Sequence, residues 1–81
     1  MARVSAALDK DEDLARFGTA IRTRRKAMGL SQEALADHAG IDRSHMGKLE
    51  RGERNITFLN IVKIANALDC KPSEIFIQSD L

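Results

Sequence analysis

Side chains that donate hydrogen bonds recur after Asp42 at the spacing of one helical face. Because a helix turns by about 100° per residue, a helix that begins there directs Ser44, Lys48 and Arg51 away from its apolar side. Arg43, at the helix start, can offer two parallel donors to O6 and N7 of a guanine, and Ser44 and Lys48 can reach a base or a phosphate. The pattern predicts base contacts to double-stranded DNA by Arg43, Ser44 and Lys48, although each would also fit an ordinary solvated surface.

Further polar residues flank this helix at places where a DNA backbone would pass. Arg51, Arg54 and Asn55 come at the helix exit, and we expect them to contact phosphates. Gln32 falls in the first turn of the preceding helix, where unpaired backbone N–H groups and the positive end of the helix dipole favour a phosphate. Gly47 costs a helix interior about 1 kcal/mol relative to Ala, so we expect a base edge or a packed neighbour to approach the backbone there.

One charged residue of the same helix, Glu50, points toward the core together with Met46 and Leu49. A half-buried carboxylate without a partner is expensive, so a cation should lie beside it. Arg25 lies in line with Ile21 on the first predicted helix and carries a forked guanidinium that matches a carboxylate. We therefore predict a structural salt bridge between Arg25 and Glu50.

Capping and turn residues divide the chain around these positions into helices. The first is predicted over residues 12–28, with an apolar face that contains Leu14, Phe17, Ile21 and Met28. The second begins after the N-cap Ser31 and ends at Gly40, and the third follows Asp42 over residues 43–51. The second and third helices with their tight turn have the form of a helix-turn-helix.

Two more helices complete the predicted domain. Thr57 caps the fourth, whose inward face is predicted to contain Phe58, Ile61, Ile64, Ala65 and Leu68. Pro72 begins a short fifth helix that runs through Phe76. We expect a mobile N-terminal arm over residues 1–13, with Asp11 to Asp13 near the first N-cap, one domain over residues 14–77, and a C-terminal tail over residues 78–81, with fraying from Ile77 to Leu81.

Basic residues concentrate in the central part of the chain, although the net charge of all 81 residues is only +1. Residues 14–54 carry nine basic and five acidic side chains, net +4, whereas residues 1–13 and 55–81 have net charges of −2 and −1. A polyanionic partner would therefore contact the central segment, which includes the helix after Asp42.

The composition indicates one small all-α domain in a reducing compartment. With 43% hydrophobic residues, one Pro, three Phe and no Trp or Tyr, the chain favours helices over strands. Cys70 is the only cysteine, which excludes an internal disulfide bond and fits a buried thiol. No apolar run is long enough for a signal peptide or a membrane span, so we expect a cytoplasmic protein without a membrane partner.

The residues that enzymes use are too few and too scattered to predict catalysis. His38, His45 and a distant cysteine supply neither a metal-binding set nor a nucleophile with its base. The chain also lacks a Gly-rich phosphate loop. We therefore expect a protein that is not an enzyme and that needs no metal or cofactor.

Three segments together carry a family resemblance: G-L-S-Q-E-A-L-A-x-x-A-G-I-D-R-S-x-M-x-K-L-E-R-G-x-R-N, I-V-K-I-A-N-A-L and P-S-E-I-F. This pattern, which extends over residues 14–77, resembles the Xre or phage Cro/repressor helix-turn-helix family. Within it, D-R-S-H-M-G-K-L-E-R-G-E-R-N-I-T is more similar to the controller proteins of restriction-modification systems than to phage repressors. His45 stands where many controllers carry an aromatic residue, and it would equally fit an ordinary surface position.

The resemblance implies a compact five-helix, lambda-repressor-like domain that binds palindromic operators as a homodimer and regulates its own gene. It also implies that Arg54 approaches the DNA from the loop and that dimers form through the C-terminal helices, with an apolar interface of Leu59, Val62, Ile75, Phe76 and Ile77. Activation, as opposed to repression, would require a further contact with RNA polymerase. The alternative is an antitoxin-like or other protein-interaction module that contains a helix-turn-helix.

Overall fold

The computed structural model describes residue 9 and residues 11–81, and this part of the chain folds into helices without a strand. The helices are α1 (Asp13–Ala27), α2 (Gln32–Ala39), α3 (Arg43–Glu50), α4 (Phe58–Ala67) and α5 (Pro72–Gln78). The predicted all-α, five-helix class is therefore confirmed. Most of the predicted N-terminal arm, residues 1–8 and 10, lies outside the described residues.

Side-chain caps fix where the middle helices begin. Ser31, Asp42 and Thr57 each accept a hydrogen bond from the backbone N–H three residues later, at 3.0, 3.2 and 3.2 Å. Such a cap satisfies a backbone donor that the helix itself leaves unpaired. Gly40, with φ of 69°, ends α2 in the left-handed conformation that favours glycine, which turns the chain toward α3.

The first helix is capped by a residue that lies before its predicted start. The two carboxylate oxygens of Asp9 accept hydrogen bonds from the backbone N–H groups of Asp13 and Leu14, both at 2.8 Å. The N-cap residue itself is Glu12, so Asp11 to Asp13 lie at the first N-cap as predicted, with Asp13 as the first helical residue. Helix α1 is therefore one residue shorter at each end than the predicted 12–28.

The core lies where α3 packs between α1 and α2 and where α4 and α5 close the opposite side. Its fully buried large side chains are Ile21, Leu35, Met46, Leu49, Ile64 and Ile75. At Gly18 the backbones of α1 and α3 nearly touch, because a Cβ there would overlap the carbonyl oxygens of Leu49 and Glu50. This contact sets the distance between α1 and α3.

Three apolar residues are not where the periodicity predicts. Phe58 and Met28 were assigned to inward faces, but they are 75% and 47% exposed. Both lie at helix ends, where a residue on the correct side of a helix can still extend past the neighbouring element. Ile75 was assigned to an exposed dimer interface, and it is completely buried within this chain. A helix turns Ile75 and its two apolar successors to different sides, so they cannot all face outward.

Helical hydrogen bonding continues past Phe76, where the fifth helix was predicted to end. Helix α5 continues to Gln78, and the buried Ser79 donates a hydrogen bond from its hydroxyl to the Ile75 carbonyl at 2.6 Å. The Leu81 backbone N–H donates to the Phe76 carbonyl at 2.9 Å. In the described part of the chain, none of the helices has the length and apolar character needed to cross a bilayer.

Candidate nucleic-acid interface

Helices α2 and α3 form a helix-turn-helix whose inner side is apolar and whose outer side is polar. Leu35 of α2 and Met46 and Leu49 of α3 are completely buried. On the outer side of α3, Arg43 and Ser44 are exposed and Lys48 is half-buried. The structure therefore brings the three residues that were predicted to contact bases to one accessible face.

The guanidinium of Arg43 lies near the first turn of α2. Its Nη1 is 3.6 Å from Oε2 of Glu33, and both side chains are largely exposed. An exposed ion pair at this distance is weak, because water screens it. Arg43 can therefore leave Glu33 at little cost.

A buried ion pair holds α3 against α1. Arg25 donates from Nε to Oε2 of Glu50 at 2.7 Å and from Nη2 to Oε1 at 3.1 Å. The third arm of the guanidinium, Nη1, donates to the Leu30 carbonyl at 2.8 Å. The side chains of Arg25 and Glu50 are 9% and 1% exposed. The predicted salt bridge is thus present, and its bidentate geometry satisfies both partners in the interior.

Gln32 is tied to the same buried carboxylate. Its amide Nε2 donates to Oε1 of Glu50 at 3.0 Å, so Glu50 links α1, α3 and the first turn of α2. We had assigned Gln32 to a phosphate contact, and one amide donor is engaged inside the protein here. The phosphate contact stays a prediction that rests on the second amide hydrogen and on the backbone N–H at the helix start.

Gly47 gives room to polar side chains of the protein itself. A Cβ at this buried glycine would lie 3.1 Å from Nη1 of Arg51 and 3.4 Å from Oε1 of Gln32. A packed side chain, one of the two neighbours predicted at this glycine, is therefore present, and the approach of a base edge stays a prediction. The absence of a side chain lets Arg51 fold back over the third helix toward the start of the second.

The segment that follows α3 contains the remaining residues predicted to contact phosphates and, among them, the acid Glu53. Arg51 donates from Nε and Nη2 to the two carboxylate oxygens of Glu53 at 2.9 and 3.2 Å. Arg54 donates from Nη1 to the Glu53 carbonyl at 3.1 Å, and Oδ1 of Asn55 accepts from the Ile56 backbone N–H at 3.0 Å. The side chains of Arg51, Glu53, Arg54 and Asn55 are all exposed. An acid directly inside a basic run was the signal in the sequence that could have identified Glu53.

The described residues give no support for a metal site or for a reactive cysteine. Within residues 9 and 11–81, no three His, Cys, Asp or Glu side chains are grouped so that they could hold a metal ion. Cys70 is half-buried between α4 and α5, and burial raises the pKa of its thiol above the ordinary value. A raised pKa leaves less of the nucleophilic thiolate, which fits a packing role.

Comparison with known proteins places this arrangement in a family. The helix-turn-helix family matches residues 21–75. The chain is 34% identical to the control protein C.SmaI of Serratia marcescens over 61 residues, which cover 75% of this chain and 73% of that protein. It is 37% identical to the control protein C.MunI of a Mycoplasma species over 62 residues, which cover 75% of this chain and 84% of that protein.

A solved structure gives the same result. The restriction-modification controller protein C.AhdI from Aeromonas hydrophila is 53% identical, superimposes with a TM-score of 0.78, and covers 79% of this chain and 97% of its own. The sequence matches, the shared fold and the exposed polar face of α3 therefore all point to the same family. The chain belongs to the Xre-type helix-turn-helix family of DNA-binding transcriptional regulators and, within it, to the restriction-modification controller proteins.

Proposed function

We propose that this protein binds a palindromic operator as a homodimer and regulates transcription of a restriction-modification system, including its own gene. The observation that carries the proposal is the exposed face of α3, where Arg43, Ser44 and Lys48 stand on a helix held by the buried ion pair of Arg25 with Glu50. A recognition helix must be rigid to present donors to base edges, and buried bidentate pairing supplies that rigidity.

In this proposal α3 lies in the major groove and reads the bases. Arg43 pairs with O6 and N7 of a guanine, because its exposed guanidinium leaves only a weak contact with Glu33. Ser44 and Lys48 follow on the same face, with Lys48 one turn further along the helix. These contacts supply the choice of sequence, each good bidentate pair contributing about 1–3 kcal/mol of discrimination.

The DNA backbone passes the start of α2 and the exit of α3. Gln32 would contact a phosphate with its remaining donors, and Arg51, Arg54 and Asn55 would contact the backbone where α3 ends. Phosphate contacts of this kind supply most of the affinity and make it decrease with added salt. They also fix the register in which the base contacts are made.

An apolar patch on α4 and α5 supports a homodimer. Leu59 and Ile77 are 66% and 77% exposed, Phe76 and Val62 are partly exposed, and the neighbouring Phe58 and Leu81 add to the apolar surface. Ile75 is excluded because it is buried. A cavity of about 180 Å³ lies beside this surface, lined by apolar residues that include Leu14, Phe17, Ile56, Ile61, Phe76 and Leu81. Soluble monomers rarely leave so many large apolar side chains together in water.

Pairing through α4 and α5 would place two recognition helices about 34 Å apart, the length of one DNA turn. The operator would then contain two half-sites related by a two-fold axis. Binding over its own promoter would repress transcription, and activation would need an additional contact with RNA polymerase. The protein would act in the cytoplasm, where the regulated genes lie.

Selection of binding sites from a pool of randomised duplexes tests the proposal. The full chain should enrich a palindrome whose half-sites are centred about 10 base pairs apart. A single asymmetric half-site, or no enrichment above the unselected pool, would contradict palindromic binding by a dimer. Selection with Arg43→Ala as the matched variant should lose one enriched base in each half-site and keep the spacing.

A further inference from the structure

Glu53 lies among the cations that the proposed function assigns to DNA. Its two carboxylate oxygens accept hydrogen bonds from Nε and Nη2 of Arg51, at 2.9 and 3.2 Å. The neighbouring Arg54 donates to the carbonyl of the same residue at 3.1 Å. The pKa of the Glu53 carboxyl lies below its ordinary value, chiefly because Arg51 binds it and further because Arg54 and Lys48 are near. Glu53 therefore stays ionised at neutral pH.

A phosphate and the Glu53 carboxylate compete for the donors of Arg51. A guanidinium binds a carboxylate or a phosphate through a pair of parallel N–H groups. Glu53 already occupies the Nε and Nη2 pair, and the other pair includes Nη1, which lies beside Gly47. A phosphate that approaches this arginine meets a like charge at contact distance.

We propose that Glu53 is an internal competitor for the DNA backbone: it occupies Arg51 in the free protein, and DNA binding exchanges this carboxylate for a phosphate. The inference rests on the proposed function. Its consequence is that the chain binds DNA of arbitrary sequence more weakly than its exposed arginines alone would allow. Every genome offers a large excess of non-specific sites. Weaker contacts with the DNA backbone at those sites therefore leave more protein free to bind the operator.

The test compares the full chain with Glu53→Gln and with Asp69→Asn on one mixed-sequence duplex. The control, Asp69→Asn, also removes one negative charge, from the exposed turn between α4 and α5. The backbone of Asp69 has the left-handed conformation, which Asn tolerates. Binding is followed by fluorescence anisotropy between about 50 and about 200 mM salt. Glu53→Gln should bind about two- to five-fold more tightly at the lower salt, as expected for release of one exposed ion pair. Its slope of log affinity against log salt should change by less than the roughly 0.9 expected for a whole phosphate contact, because Arg51 reaches a phosphate in both proteins.

A double-mutant comparison separates exchange at Arg51 from a general effect of charge. In an Arg51→Ala background, Glu53→Gln should lose most of its gain in affinity. An equal gain in both backgrounds, or a gain no larger than that of Asp69→Asn, would overturn the inference and leave DNA binding intact. Failure of the folded wild-type chain to bind any duplex would overturn the proposed function and the inference with it.

Discussion

Glu50 is the residue on which the geometry of the candidate interface depends. Its two oxygens accept hydrogen bonds from Nε and Nη2 of Arg25 and from the amide of Gln32. One carboxylate thereby joins α1, the recognition helix α3 and the first turn of α2. Because Glu50 is almost fully buried, loss of Arg25 would leave its charge without compensation, whereas loss of the Gln32 amide would remove one hydrogen bond.

Arg25→Met should lower the free energy of unfolding by about 3–5 kcal/mol, because it leaves the Glu50 carboxylate buried and without its cation. Urea denaturation followed by circular dichroism measures this change. Arg22→Met serves as control, since Arg22 is exposed on the same helix and should change stability little. Equal stabilities of the two variants would show that the ion pair does not hold the fold.

Arg43→Ala should weaken binding to the selected operator by about 1–3 kcal/mol and relax the preference at one base position of each half-site. The physical reason is the loss of the paired donors that read a guanine. Anisotropy titrations on the operator and on duplexes with single substitutions measure both effects. An unchanged base preference would remove Arg43 from the base contacts, and a salt slope lowered by about 0.9 would reassign it to a phosphate.

At the scale of elements, local signals predicted most of the helix boundaries. Ser31, Asp42 and Thr57 cap their helices because their side chains bond to backbone within three residues, an interaction that depends only on local sequence. The pairing of Arg25 with Glu50 joins two helices, and it was predictable because a half-buried acid is costly without a cation and Arg25 lies in line with the apolar Ile21 on α1. The face of α3 that carries Arg43, Ser44 and Lys48 was predictable because helical periodicity fixes which side chains point away from the core.

The features that could not be predicted from the sequence depend on how the helices pack against one another. Phe58 fits the inward face of α4 by periodicity, but it is exposed because the core does not extend over the first turn of that helix. Ile75 was indistinguishable from Phe76 and Ile77 until the position of α5 against α1 and α4 was known. The attachment of Gln32 to Glu50 likewise needed the distance between two helices.

Two glycines of neighbouring helices should respond oppositely to alanine. Gly18→Ala should destabilise the protein by about 1–3 kcal/mol, because its Cβ would meet the backbone of α3. Gly47→Ala should stabilise it by up to about 1 kcal/mol, because its Cβ would meet the movable end of the Arg51 side chain and lie 3.4 Å, an ordinary contact distance, from Oε1 of Gln32. Thermal and urea denaturation measure both changes. Destabilisation by Gly47→Ala would show that Arg51 is held rigidly in that space.

At the scale of the whole molecule, the exposed apolar surface of α4 and α5 is the feature that a monomer does not explain. Ile77→Asp should weaken the proposed dimer at least about tenfold, because a charge would be buried against an apolar partner surface. Sedimentation equilibrium measures the association constant. Ser73→Asp, on the same helix at an exposed polar position, is the control. An unchanged oligomeric state for Ile77→Asp would place the dimer contact elsewhere.

Footprinting of the full chain on the DNA upstream of its own gene tests the central claim, operator binding by a dimer, most directly. Hydroxyl-radical cleavage should show two protected regions on one face of the duplex, related by a two-fold axis and centred about 34 Å apart. Guanine N7 methylation within each half-site should interfere with binding by the wild-type chain and not by Arg43→Ala. Uniform cleavage along this DNA at protein concentrations that bind mixed-sequence duplexes would contradict autoregulation through a palindromic operator.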